Sequence, residues 1–427
     1  MTFQEMNLIA PILQAIKESG YESPTPIQLA TIPRVLAGED ILGCAQTGTG
    51  KTAAFALPIL QKLQGARTAN VRPIRALILT PTRELAQQIY DSFITYGAKR
   101  LSLRVSVIFG GVSQVNQVRE LRRGVDILVA TPGRLNDLST QGLIDLRGVN
   151  TFVLDEADRM LDMGFIRDVK KIIALIPKER QTLFFSATMP AEAEELAMQI
   201  LKNPATVKVN PVTRPVNSIR QTLYHVDKAN KKNLLAHLLS EIEIENALVF
   251  TRTRHGADRV VRELKRAGIE AVVIHGGKAQ GARQTALARF KNGHVRILIA
   301  TDIAARGIDI AGLSHVFNYD LPDEAEVYIH RIGRTGRAGL DGDAISFCCI
   351  DEMKNLRAIE SLTGRRIRVM ESPWPMLITT PSPPKQPGGR ARAPQKLNMR
   401  GEPLVEKSRQ RRYAPAGKVA GRRDAGR

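Results

Sequence analysis

The feature that most restricts the fold is an alternation of short apolar runs with helical patterns. Between residues 40 and 210 the runs fall at 40–45, 76–80, 126–129, 152–154 and 182–185, ending in polar or Gly-containing turns. Runs too short for helices, spaced by helical periodicity, are the signature of a parallel sheet with crossover helices. The rhythm resumes near residue 220, at 247–250, 271–274, 297–300, 316–319 and 344–348, and predicts a second sheet. A chain of 427 residues is also too long for one ordinary core. The expected organisation is an α/β domain over 1–209, a linker at 210–218, a second α/β domain over 219–371 and a tail over 372–427.

The linker is read from NPVTRPVN at 210–217, where two prolines and little apolar content suit an extended connection. In the tail periodicity ends and Pro and Gly accumulate, which predicts disorder. Residues 376–427 hold 13 Lys and Arg against 3 Asp and Glu, half of the whole chain's net charge of +20. So large a basic excess favours a polyanionic partner, nucleic acid or an anionic membrane face. No apolar run approaches the length of a bilayer span, and the N-terminus lacks a signal core, so a cytoplasmic protein is expected. Cys44, Cys348 and Cys349 are an odd number, the last two within an apolar run, and read as reduced thiols without disulfide or metal.

The first strand leads into AQTGTGKT, comprising Ala45, Gln46, Thr47, Gly48, Thr49, Gly50, Lys51 and Thr52. Glycines free the backbone to wrap phosphates, Lys51 offers an ammonium, and the Thr52 hydroxyl suits Mg2+. Position 45 is Ala where the usual pattern begins with Gly. A strand later delivers Asp155, Glu156, Ala157 and Asp158 at its carboxyl end, where α/β sheets collect ligands. Asp155 can hold hydrated Mg2+ and Glu156 can polarise an attacking water. Alone, these residues would read as an acidic helix start favoured by the dipole; together with the phosphate loop they read as catalytic.

AQTGTGKT, DEAD at 155–158, SAT at 186–188 and HRIGRTGR at 330–337, in that order, resemble the DEAD-box RNA helicases. The resemblance covers roughly residues 1–370 and implies two tandem RecA-like domains. GCAQTGTGKT, DEADRMLDMGF, HGGKAQGAR and ATDIAARGIDI look most like the bacterial RhlE-type branch. The resemblance makes Phe3 and Gln28, in the run GYESPTPIQ, an adenine-reading element that selects ATP. It assigns Gly307 and Asp309 to the nucleotide, and Arg334 and Arg337 to its phosphates with Arg337 as an arginine finger. A guanidinium fork suits charge spread over several phosphoryl oxygens. Asp158, Ser186, Thr188 and His330 would couple the two domains. No His, Cys or carboxylate stands near His275 or His330 at metal-ligand spacing.

RNA contacts implied by the resemblance are Pro81, Thr82 and Arg83 of PTRELA, Gly110 and Gly111, Thr131 and Arg134 of TPGR, and Thr301. Such groups grip phosphates and 2′-hydroxyls, so sequence specificity should be weak. Aromatics are scarce in these motifs, and no base-stacking platform is expected. Neither domain holds a complete active site, so hydrolysis should await closure around single-stranded RNA, with local melting of short duplexes. HGG at 275–277 lacks an acidic residue that many members carry there, leaving that contact open. The reading is a monomeric RNA-dependent ATPase and helicase using ATP and Mg2+, with ribosome-assembly or RNA-decay proteins as candidate partners. An ATP-gated RNA clamp with little unwinding is the alternative, and a DNA-directed motor is disfavoured by PTPIQ beside DEAD and SAT.

Overall fold

A computed structural model of the chain describes residues 1–45, 48–65, 72–209, 219–305, 308, 310, 312–336 and 342–380. In the first lobe β1 (Ile41–Cys44), β2 (Ala76–Leu79), β3 (Val105–Ile108), β4 (Ile127–Ala130), β5 (Thr151–Leu154), β6 (Gln181–Ser186) and β7 (Ala205–Lys208) pair in the order β3-β4-β2-β5-β6-β1-β7. In the second, β8 (Ile219–His225), β9 (Ala247–Phe250), β10 (Val272–Ile274), β11 (Ile297–Ala300), β12 (His315–Asn318), β13 (Gly342–Cys348) and β14 (Arg368–Met370) pair as β10-β11-β9-β12-β13-β8-β14. Every pairing in both sheets is parallel. Counted from the start of its own lobe, each sheet reads 3-4-2-5-6-1-7. The two halves are one topology used twice.

Strand alternation explains how so few residues make two-sided sheets. Ala76 and Ile78 of β2 enter one core cluster and Leu77 and Leu79 the other, and Leu183 and Phe185 of β6 face away from Phe184. The apolar runs read from the sequence are β1, β2, β4 to β6 and β9 to β13, most of them fully buried, with β1 and β10 partly exposed. The strands it passed over are β3, β7, β8 and β14, which are half-buried or short. IRQTLYH of β8 and RVM of β14 lack the continuous apolar character that marks the inner strands.

Residues 372–380, placed in the tail by their lost periodicity, are held on the second lobe. Trp374 meets His237 edge-on with ring centroids 5.7 Å apart. Leu377 and Ile378 donate their backbone N–H groups to the two oxygens of Asp227, at 3.1 and 3.0 Å. Asp227 lies just past β8, the strand that corresponds to β1. The linker 210–218 and the residues after 380 lie outside the described residues. Among the described residues no helix is long and apolar enough to cross a membrane. The three cysteines are free, and burial, with Glu352 nearby, pushes the Cys348 thiol up to about 12, far from its reactive form.

Candidate nucleotide and RNA site

Because all strands of a lobe run the same way, the loops after them share one edge, where such sheets collect ligands. In the first lobe the loops after β1 to β6 carry, in turn, the phosphate loop, PTRELA, the Gly110–Gly111 turn, TPGR, DEAD and SAT.

The phosphate loop needs its glycines. Gly48 and Gly50 have φ of +85° and +96°, and a Cβ on Gly50 would fall 2.5 Å from Gln28 Nε2. Lys51 opens the helix Lys51–Leu63 and is 5% exposed, yet its Nζ has no hydrogen-bond partner among the described residues and stands 3.8 Å from Asp155 Oδ1. A buried ammonium left without hydrogen bonds is costly, and a phosphate oxygen would satisfy it. Thr52 follows on the same helix, half-buried, and Ala45 is buried with its N–H on Ser186 O at 3.0 Å. Thr49 lies in the same loop, half-buried.

Gln28 is fully buried and its amide is engaged on both sides. Its Oε1 accepts from Thr25 N at 2.9 Å, and its Nε2 donates to Gly50 O at 3.2 Å. The expected base-reading residue thus caps the helix Pro26–Leu36 and ties it to the phosphate loop. Phe3, expected on the base, is packed in the lobe core with Met6 and Leu8.

After β5, Glu156 adopts the left-handed conformation (φ 54°, ψ 52°) at 4% exposure. Such strain in a non-glycine residue persists only where the surroundings fix it. Its carboxylate is paired with Arg159, a residue the sequence reading did not single out. Asp155 is 2% exposed, and burial pushes its carboxyl up to about 6 although Lys51 opposes the rise. Asp158 binds the SAT segment: its Oδ2 accepts from Thr188 N and Oγ1 at 2.8 and 2.9 Å, and its N–H donates to Ser186 Oγ at 3.1 Å. These bonds join the DEAD and SAT loops within the first lobe.

The neighbouring loops are bound to one another. Pro81 is buried, and Thr82 caps the helix Arg83–Thr95 by accepting from Leu85 N at 3.2 Å. The Arg83 guanidinium covers Gly111, where φ is +77° and a Cβ would lie 2.0 Å from Nη1; Gly110 adjoins it. Thr131, 8% exposed, precedes the helix Pro132–Thr140, and Arg134 Nη2 donates to Val112 O at 3.0 Å. Between the lobes, Glu84 Oε1 accepts from Arg283 Nη2 at 2.8 Å and from Gln280 Nε2 at 3.1 Å. Arg83 Nη1 also donates to Gln280 Oε1, at 3.4 Å. The sequence reading named Arg83 only as an RNA contact and missed Glu84, Gln280 and Arg283, although they stand in PTRELA and HGGKAQGAR.

In the second lobe Thr301 is buried, its carbonyl accepting from Ala304 and Ala305 at the start of a short helix. Arg331 of HRIGRTGR is wholly buried and bidentate on Asp302, with 2.6 and 2.7 Å bonds, and lies over Phe250 at 4.9 Å. Arg334 is 8% exposed with Nη1 on Ile308 O at 2.9 Å, and His330 is exposed on the helix Ala325–Ile332. His275 does have a carboxylate neighbour: Asp258, from the preceding helix, reaches its Nε2 at 3.1 Å and also binds Lys278. Gln46, Thr47, Gly307, Asp309 and Arg337 lie outside the described residues.

A phosphate loop, a strained glutamate and a buried strand-end aspartate on the rim of one of two matching parallel-sheet lobes define a twin-lobed nucleotide hydrolase. Residues 25–196 match the DEAD/DEAH box helicase family and residues 230–339 the helicase conserved C-terminal domain. The DEAD-box ATP-dependent RNA helicase CshA of Bacillus licheniformis is 44% identical over 87% of this chain and 76% of its own length. Its Bacillus subtilis namesake is 43% identical over 87% and 74%. S. cerevisiae Dbp5 bound to RNA and ADP BeF3 has a TM-score of 0.75 at 31% identity, covering 86% of this chain and 95% of that one. The chain belongs to the DEAD-box ATP-dependent RNA helicase family, and its lobes are tandem RecA-like domains. The relatives found carry the name CshA, a different branch from the RhlE type suggested by the motif wording.

Proposed function

We propose that this chain is an ATP-dependent RNA helicase that hydrolyses ATP as its lobes close on single-stranded RNA, opening short duplexes or remodelling RNA–protein complexes. The observation that carries the reading is the buried, hydrogen-bond-free Lys51 ammonium beside Asp155, with the PTRELA, glycine and TPGR loops on the same rim. Lys51 and the phosphate-loop N–H groups would hold the β- and γ-phosphates. Thr52 and Asp155 would hold Mg2+, which supplies charge neutralisation at the phosphates when bound. Glu156 orients the attacking water and takes its proton, while Arg334 and Arg337 bring positive charge from the second lobe.

RNA would be gripped through its backbone by Arg83, Arg134 and the Gly110–Gly111 turn, which supports weak sequence preference. Asp158, Ser186 and Thr188 lie between the two activities and would report closure through His330. At the level of branch, the motif stretches support an RhlE-type assignment and the CshA relatives a different one; the function read here is common to both. The test is ATP hydrolysis with and without single-stranded RNA, with single-stranded DNA, GTP and Glu156→Gln as controls. Stimulation by RNA alone, restricted to ATP and lost in the variant, is expected. Equal stimulation by DNA would overturn the RNA assignment.

A further inference from the structure

The helix Gln114–Arg122 begins at the Gly110–Gly111 turn and packs beside β3 at the edge of the first sheet. One of its faces is fully used. Gln117 clasps Phe109, its Oε1 accepting from the backbone N–H and its Nε2 donating to the carbonyl, both at 3.2 Å. Glu120, the helix's one carboxylate, accepts from Ser106 Oγ on β3 at 3.0 Å.

Another face, Val115, Val118, Arg119 and Arg122, follows the i, i+3, i+4, i+7 spacing of a single stripe. With Arg123, Gln114 and Leu143 it lines a groove of about 660 Å³. The three arginines are exposed, and Val115 is 65% exposed at the groove's start. The helix dipole accounts for a cation in the last turn, but not for an exposed valine or for three arginines in five residues.

The groove's helical wall starts at the RNA rim, following the Gly110–Gly111 turn, and Leu143, just past the helix Pro132–Thr140, closes its other side. The two segments are joined by Arg134 on Val112 O at 3.0 Å and by Gln114 on Gln141 at 3.0 Å. A basic floor with apolar side chains, continuous with backbone-gripping loops, complements a phosphate chain and its riboses.

We propose that this groove carries the RNA strand onward from the first lobe, Arg119, Arg122 and Arg123 taking further phosphates and Val115 packing on the strand. The inference rests on the RNA-clamp reading above and adds to it a second contact that is used only by RNA longer than the clamp.

The test compares the full chain with its Arg119→Ala/Arg122→Ala/Arg123→Ala variant on oligouridine of about 6 and about 20 nucleotides, with a non-hydrolysable ATP analogue present. The variant should lose at least tenfold in affinity for the longer RNA at low salt. Its log–log salt slope should fall by about 2, from about 0.7 for each of three phosphates. ATP hydrolysis stimulated by the short RNA should match the wild type, and an unchanged circular-dichroism melt should confirm the fold. Wild-type affinity and slope on the longer RNA would overturn the proposal, as would equal losses on both lengths, which would place the arginines within the clamp. Unchanged RNA binding with lost binding of polyglutamate would assign the groove to an acidic polypeptide instead. Hydrolysis by the wild type with the short RNA tests the clamp reading separately.

Discussion

Glu156, proposed above to activate the water, is defined as much by its backbone as by its carboxylate. Glu156 sits in the left-handed region with its side chain paired to Arg159, so its orientation depends on a neighbour just outside the DEAD motif. Arg159→Ala should lower kcat about tenfold, a fraction of what a positioned base contributes, while KM for ATP stays unchanged. Partial rescue by Arg159→Lys in the same steady-state assay would separate positioning from folding. Arg331 shows the opposite case, a motif arginine turned inward. Asp302→Ala leaves its guanidinium buried without its carboxylate, held only by Asn318 Oδ1, Asp320 O and the Phe250 ring, and should destabilise the second lobe by about 3–5 kcal/mol in urea unfolding. Adding Arg331→Met to that variant should recover part of the loss, since it removes the stranded charge. The resemblance gave roles to Arg334 and Arg337 and none to Arg331, the other arginine of the motif. Only the fold distinguishes the core member, because its partner Asp302 comes from a different loop.

At the scale of elements, the sequence disclosed the inner strands and the loops after them. β2, β4 and β5 are four buried residues each and could not be read as anything else, and the motifs at their ends take their places from that. β8 was hidden because IRQTLYH is only partly buried, and residues 372–380 were hidden because backbone N–H groups on Asp227 leave no periodic trace. Partners distant in the chain were hidden for the same reason: Asp258 reaches His275 from another element, and Glu84 reaches Arg283 from another lobe. The Glu84–Arg283 contact predicts that Glu84→Ala weakens closure by about 2–5 kcal/mol, the usual cost of truncating one member of a largely buried charge pair. RNA-stimulated hydrolysis should then fall at least tenfold while the thermal melt of the protein is little changed. A loss of stability without a change in stimulation would show that the pair serves folding alone.

For the whole molecule, the shared strand order means that every rim position in one lobe has a counterpart in the other. After β1 the chain makes a glycine loop leading to Lys51, proposed above to hold the phosphates. After β8 the corresponding place is held by Asp227, itself an anion, already satisfied by the N–H groups of Leu377 and Ile378. The polarity of the site has been reversed in the second copy, and the protein's own main chain occupies it. Duplicating a nucleotide-binding fold would otherwise give two equivalent seats. Here titration calorimetry should find one ATP analogue per chain, and Asp227→Ala should leave that stoichiometry at one while loosening residues 372–380 in hydrogen exchange. On the function proposed above, the repetition yields a division of labour: one lobe carries the fuel, and its twin acts by coming to meet it.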